Sequence, residues 1–496
     1  EECGSLSEPD TLYQLTGDLT SSPDGCFSID APNITLDCQG HEIFSPSGAG
    51  DGVYVSGGTE GATVSNCRLN NFSSGIYISN SPYFTADNNY IYSVSYIGIF
   101  VMNSPHSILR QNQIVEASNA AKPFFIFLSD QSVLEKNHSE NNMQGISTVS
   151  SSNISILENI ISCRYGNCLS IEGDYIIAND NEVSASGNNS TDGIWLKGSH
   201  NILEGNIVSS DFGSGIRIQG YYNRLEYNIV STKATSGPTI GGIYIGDLTG
   251  RGTDNILSNN LVSGEFSVAF FITSARNQVT NNKAVGESGL FISRDTDNIV
   301  TGNTIHALDS DSFAVYAAGS DHRIYNNIIV GEKWVSNTGS NLSLSYNKKG
   351  NRYMLQDGTE ASELYDLIDV TNDNQADMGT HFPLDAGNSD GRLIGQGQDF
   401  HPYTKKQNPK FSGFRLEVQA DPPVGGVVTG TNLSMRYGQV GTVTATANPG
   451  YKFVSWYNGI GNCPSQPGHT RGTLYVTIDP EVSTRCYVFA NFQPVN

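Results

Sequence analysis

The sequence predicts an all-β protein: a right-handed parallel β-helix followed by a small β-sandwich-like module. Two repeated motifs in step and one late change of texture carry this reading. The first motif is Asn followed by two mostly apolar residues. It recurs as Asn89-Tyr90-Ile91, Asn112-Gln113-Ile114, Asn159-Ile160-Ile161, Asn181-Glu182-Val183, Asn206-Ile207-Val208, Asn228-Ile229-Val230, Asn260-Leu261-Val262, Asn282-Lys283-Ala284, Asn303-Thr304-Ile305 and Asn327-Ile328-Ile329. With Asn137 in the row, the intervals are 21 to 25 residues, with one of 32. Fixed periods in this range mark solenoids and arrays. No helix-length stretch shows a 3.6-residue apolar period, so each repeat reads as one coil of short strands.

The second motif, Gly-Ile-x-Ile, lies about 12 residues before each Asn. Examples are Gly75-Ile76-Tyr77-Ile78, Gly98-Ile99-Phe100-Val101, Gly193-Ile194-Trp195-Leu196, Gly215-Ile216-Arg217-Ile218 and Gly242-Ile243-Tyr244-Ile245. Strand side chains alternate faces, so Ile76 and Ile78 point inward and Tyr77 outward. Coils stacked at strand spacing, about 14 of them at ~4.8 Å, give a rod on the order of 65 Å long. The Asn row fits one bend of every coil, because Asn tolerates left-handed backbone and its amide has donors and an acceptor for its neighbours. It reads as structural, not catalytic.

Upstream, Cys67 and Cys38 take the row's positions in consecutive coils, within disulfide reach, so Cys38–Cys67 is predicted. The other cysteines suggest Cys3–Cys26, Cys163–Cys168 and Cys463–Cys486. There is no CxxC zinc pattern and no haem motif, and an even cysteine number favours an oxidising, extracytoplasmic setting.

Boundaries follow from the texture. Residues 1–28 read as an N-terminal cap, 29–347 as the β-helix, 348–412 as a loop-rich extension and 413–496 as the terminal β module. The module's strands alternate in Arg415–Val418, Gly441–Ala447 and Thr473–Ile478. In the extension, Asp369, Thr371, Asp373, Gln375 and Asp377 alternate as oxygen ligands of a short calcium loop do, although position 12 is Thr380 rather than an acid. Calcium is therefore the one cofactor to expect.

A net charge of −22 argues against nucleic acid or an anionic membrane as partner. No run of 18 apolar residues is present, so no membrane span is expected. The opening Glu1-Glu2-Cys3 reads as a processed N terminus, and the location as secreted, extracellular or cell-surface. Sequons for glycan stand at Asn33, Asn71, Asn137, Asn153, Asn188, Asn189, Asn341 and Asn432.

The run Cys26-Phe27-Ser28-Ile29-Asp30-Ala31-Pro32-Asn33-Ile34-Thr35-Leu36-Asp37-Cys38-Gln39-Gly40-His41, with the repeats after it, resembles the NosD-like or CASH β-helix proteins of secreted archaeal and bacterial type. The resemblance spans about residues 20–347. It implies the fold, while such families mix lyases, epimerases, binding proteins and surface structural proteins. Residues 414–496, with Gly450-Tyr451-Lys452-Phe453-Val454-Ser455-Trp456, are distantly similar to internalin B-repeats, which implies attachment or assembly.

The outward residue of each Gly-Ile-x-Ile unit forms a column: Tyr77, Phe100, Phe125, Ser147, Ser170, Trp195, Arg217, Tyr244, Phe271, Phe291 and Tyr316. Eight of these eleven are aromatic, against 10% for the chain. Such a stripe should not be left to water. It fits a contact with another copy, a cover from residues 348–496, or a stacking platform for sugars. An enzyme would need paired carboxylates or a positioned base. The best candidates are Lys197 or Arg217 as base with Asp192 and Asp247 nearby, beside Glu172, Asp174 and Asp211. The leading expectation is a non-enzymatic structural subunit that self-associates into a filament, sheath or surface layer. A polysaccharide lyase or hydrolase, or a glycan-binding adhesin, is the alternative.

Overall fold

The computed structural model describes residues 2–117, 122–187, 192–233, 241–247, 251–293, 295–406, 414–430, 433–435, 441–458, 473–476 and 485–495. It divides into two compact units, residues 1–343 with 392–397, and residues 344–391 with 398–496.

The first unit is a right-handed parallel β-helix of about 14 turns. Each coil lays down three strands, one on each of three faces. One coil runs Ile97–Met102 on the first face, Ile108–Arg110 on the second and Gln113–Val115 on the third. Each strand pairs in parallel with its counterpart one coil on. The second face is a 14-stranded sheet of its own. The inward column Ile76, Ile99, Phe124, Ile146, Leu169, Ile194, Ile216, Ile243 and Phe270 stays in register and is buried throughout. The glycine of the Gly-Ile-x-Ile motif has a steric reason. A Cβ at Gly193, Gly215 or Gly242 would lie 2.4, 2.2 or 2.3 Å from a methyl of Val208, Val230 or Val262. Those valines are the inward residues two places after the ladder asparagines, so the two motifs are coupled through one packing contact.

The Asn row is a continuous amide ladder. Each Nδ2 donates to the Oδ1 of the Asn one coil on at 2.9–3.0 Å, from Asn89 to Asn327. The same Oδ1 also accepts the backbone N–H of the previous Asn. The left-handed bend expected of these asparagines falls instead one residue earlier. Asn88, Gln111, Lys136, Glu158, Asp180, Tyr227, Asn259, Asn281 and Asn326 have φ between 53° and 57°. The ladder Asn can then turn its side chain inward and serve the buried backbone.

A second ladder runs along the same coils. Ser81, Ser104, Ser129 and Ser151 pass hydrogen bonds from backbone N–H to hydroxyl. Nearby, Asn201, Asn223, Asn255, Asn277 and Asn298 repeat the Asn pattern and end on His322 Nδ1. Disulfides join Cys3–Cys26, Cys38–Cys67 and Cys163–Cys168. These place the folded chain in oxidising, extracytoplasmic surroundings. Cys463, and with it the expected Cys463–Cys486 bridge, lies outside the described residues. One strand inside the extension returns to the first unit: Leu393–Gly395 pairs with Lys333–Asn337.

In the second unit, Asp399 is buried and accepts hydrogen bonds from the Asn351 and His401 amides at 2.8 and 3.0 Å and from the Tyr353 hydroxyl at 3.1 Å. Glu360 holds Arg352 and Lys405 together. The terminal module has a four-stranded mixed sheet and a three-stranded antiparallel sheet. Its core is Val418, Val443, Ala445, Trp456, Val488, Ala490 and Phe492.

Candidate functional site

The aromatic column is present on the first face, and Tyr54 extends it by one rung. Its rings lean on one another. Tyr77 meets Phe100 edge-on at 5.0 Å, Phe100 stacks on Phe125 at 5.1 Å, and Phe271 stacks on Phe291 at 4.9 Å. Tyr244 and Tyr316 continue the second run at 5.3 and 5.7 Å. The stripe is less open than the sequence suggests. Phe100 and Tyr244 are buried, and Tyr77, Phe125, Trp195, Phe271, Phe291 and Tyr316 are half-buried. Stacking between rungs removes much of the apolar surface that an occupant would otherwise have to cover.

The charged candidates on this face are committed to one another. Arg217 Nε lies 2.6 Å from Asp192 Oδ2, and the Ser214 amide donates to the other Asp192 oxygen at 2.8 Å. Burial raises the Asp192 pKa, and the Arg217 charge opposes that rise. A guanidinium does not surrender a proton, so Arg217 is unsuited to act as a base. Its outer face lies over the Tyr244 ring at 5.0 Å. Lys197 Nζ lies 2.6 Å from Glu172 Oε1 on the adjacent strand. Asp247 and Asp211 have cationic neighbours of their own. They face Arg251 at 4.0 Å and Lys233 at 3.6 Å.

Lys197 and Glu172 do border a trough of about 510 Å³, with Asp174, Ser199, Gln219 and Arg251 on its other sides. Beside it, at residues adjacent in sequence to Asp174, Ser199 and Tyr221, three rings stack in the open. Tyr175 lies 5.0 Å from His200 and His200 lies 5.3 Å from Tyr222. All three have left-handed backbones, at φ 58°, 60° and 58°. Bulky residues seldom adopt this conformation, and here it aims the rings outward along one edge. The positions carry no apolar periodicity, so the strand pattern gave no signal of them.

The third face is of another kind. The outward position after each ladder Asn reads Ile160, Glu182, Ile207, Ile229, Leu261 and Lys283, in register from coil to coil. Two residues on, the second outward row reads Ser162, Ser184, Ser209, Ser231, Ser263 and Val285. Ile207, Ile229 and Leu261 are 52%, 47% and 41% exposed. In a chain of net charge −22, the six rungs from Ile160 to Lys283 offer an aliphatic row and a hydroxyl row with two charges.

The acidic loop of the second unit does not support calcium. The Asp369 carboxylate accepts the Asn372 and Asn374 amides, Asp377 accepts Val370 and Thr371, and Asp373 accepts Gln375. Gln375 is itself used by the Gly350 amide at 3.1 Å. The three aspartates thus close Asx-type turns on the loop's own backbone, whereas the Thr371 hydroxyl is buried without a hydrogen-bond partner. Among the described residues, no group of three or more His, Cys, Asp or Glu is placed to hold a metal ion.

Of the sequons, Asn33, Asn153 and Asn341 are exposed and Asn71 is half-buried. Asn137 must be corrected. Its amide is a rung of the ladder, donating to Leu109 O and Asn159 Oδ1, and leaves no room for a glycan. Asn188, Asn189 and Asn432 lie outside the described residues. Among those residues, no helix is long and apolar enough to cross a membrane.

Comparison with known proteins agrees with the fold. Residues 51–196 match the family described as right handed beta helix region. Residues 241–361 match periplasmic copper-binding protein (NosD), and residues 416–495 match the divergent InlB B-repeat domain. Copper does not suit the donors present. The histidines of that segment are His306 and His322, and both His322 nitrogens are engaged, by the Asn298 amide and by Ala318 O. No curated protein matches the chain. Among solved structures, DFA-IIIase from Arthrobacter chlorophenolicus A6 is 12% identical over 53% of this chain and 71% of its own, with a TM-score of 0.36. The mannuronan C-5 epimerase AlgE6 A-module of Azotobacter vinelandii is 13% identical over 68% and 89%, at 0.39. The tailspike protein of Escherichia coli bacteriophage HK620 is 11% identical over 99% and 86%, at 0.46. The chain is a right-handed parallel β-helix protein with segments that match the right handed beta helix region, the NosD family and, at its C-terminal end, the divergent InlB B-repeat domain.

Proposed function

We propose that the protein is a non-enzymatic structural subunit outside the cytoplasm, a stiff rod that self-associates into a filament, sheath or surface layer. The third face carries this reading. Exposed Ile207, Ile229 and Leu261 lie on contiguous rungs, flanked by a row of serines. A flat apolar strip held rigid by stacked backbone is suited to burial against another chain. The state of the charged residues agrees, because Lys197 and Arg217 are each engaged by a carboxylate. The test is electron microscopy of the native protein at rising concentration. Ordered filaments or sheets are expected. Isolated rods at every concentration would overturn the proposal.

A second reading, a glycan-binding surface, rests on the exposed Tyr175–His200–Tyr222 stack beside the trough at Lys197 and Glu172. Aromatic faces pack on pyranose faces, and the charges at the trough's edge balance, which suits a neutral sugar. Binding to a panel of neutral oligosaccharides, lost in Tyr222→Ala and without release of shorter products, would support it. An unchanged affinity in that variant would rule out the stack.

A further inference from the structure

The charges of the third face are placed symmetrically. Counting rungs outward from Ile229, Ile207 is one coil down and Leu261 one coil up, while Glu182 is two down and Lys283 two up. Both charges are exposed, and among the described residues neither has an ion-pair partner. They stand about four coil spacings, ~19 Å, apart on one column.

We infer that this face binds a second copy of the same chain, with the rods antiparallel and a two-fold axis running along the strand Ile229–Thr232. The inference rests on the self-association reading above and specifies its contact. A two-fold axis along the strand reverses the direction of stacking and keeps each column opposite itself. Glu182 of one copy then meets Lys283 of the other, and the pair forms twice. Ile207 faces Leu261 of the second copy, and Ile229 and Ser231 face their own equivalents. The alternative axis, along the stacking direction, would set Glu182 against the Ser184 row and leave all four charges unpaired. Parallel docking through the same column would bring like charges together.

Nine rungs, from His138 to Ile328, overlap in this arrangement, and Glu140 on the outermost rung, 3.7 Å from His138 of its own chain, faces Val330 of the second copy. That is a strip ~40 Å long at strand spacing and, over a width of ~10–15 Å, on the order of 1,000 Å² buried in total. This is the lower limit for a specific interface, so pairing depends on concentration and is sensitive to its two ion pairs.

Sedimentation equilibrium of the full chain tests the pairing. Glu182→Lys and Lys283→Glu each place like charges together twice and are expected to weaken dimerisation by about tenfold or more. The double swap Glu182→Lys/Lys283→Glu restores it. A short bis-maleimide is expected to join two copies of Ser231→Cys, which lies on the axis, and to leave Ser184→Cys unjoined. Reversals that change nothing, a double swap as weak as the singles, or cross-linking at Ser184→Cys in preference to Ser231→Cys would each overturn the inference. Rod pairs that grow no further support the pairing and remove the filament. Filaments indifferent to both reversals keep the filament and remove the pairing.

Discussion

Asn206 sits midway along the amide ladder and gives the most direct test of what holds the coils together. Its Nδ2 donates to Ala178 O at 2.8 Å and to Asn228 Oδ1 at 2.9 Å. Its Oδ1 accepts the Asn181 backbone N–H at 3.0 Å and the Asn181 Nδ2 at 2.9 Å. Asn206→Ala deletes all four bonds, but the neighbours do not lose equally. Asn181 Nδ2 keeps Ile156 O, and Asn228 Oδ1 keeps the backbone N–H of residue 206. The Asn181 N–H loses its acceptor and the Ala178 carbonyl loses a donor, both in a dry interior. A buried polar group left without a partner costs ~1–3 kcal/mol, and the Ala178 carbonyl keeps its place in the strand ladder, so the expected loss is ~1–3 kcal/mol.

The control is Glu204→Ala, two residues away and exposed, where ~0.5 kcal/mol or less is expected. Solenoids need not unfold in one step, so denaturant melts should be paired with hydrogen exchange of the Asn181 amide. Protection there should fall in Asn206→Ala and hold in Glu204→Ala. A cost below ~1 kcal/mol, or equal exchange in the two variants, would refute the view that the ladder satisfies the buried backbone.

Three further outcomes follow from particular groups. Burial raises the Asp399 pKa to about 7, so the folded chain keeps this proton to higher pH than the unfolded chain does. The contribution of Asp399 to the stability of its unit should be fully present below about pH 4 and should decline between about 4 and about 7, by at most ~4 kcal/mol. Asp399→Asn should remove that slope, and equal melting at about pH 5 and about pH 8 in the wild type would contradict it. Cys38–Cys67 joins residues 29 apart, so the double serine variant should lose ~3–4 kcal/mol while keeping its β-sheet circular dichroism at moderate temperature. Peptide mapping of the native protein should find Asn137 unmodified, and a glycan there would contradict the ladder geometry.

The stacking was legible because it is periodic. Ile76, Asn89 and Gly75 each do one job per coil, so the residue type recurs with the job. The second ladder was legible in principle: Asn201, Asn223, Asn255, Asn277 and Asn298 each precede a member of the first row by five residues. The site was harder, because it depends on which group reaches which. The burial of Asp192 against Arg217, and the folding of Asp369 and Asp377 onto their own amides, depend on side-chain direction. Spacing alone matched a calcium loop. Geometry gave the aspartate oxygens to backbone N–H groups instead.

What folding requires of this chain is met almost entirely from inside each coil, by apolar columns and amide ladders, and that leaves the three outer faces free to differ. They do differ. The second face carries scattered charges such as Arg110, Glu135, Glu204 and Arg224. The first carries rings that stack on their own neighbours. The third pairs an aliphatic row with a serine row, and nothing in the interior demands either. A rod whose outer charge is strongly negative resists self-contact over most of its surface. Contact is then confined to where charge is absent or compensated. On this chain that condition is met around Ile229, between Glu182 on one side and Lys283 on the other.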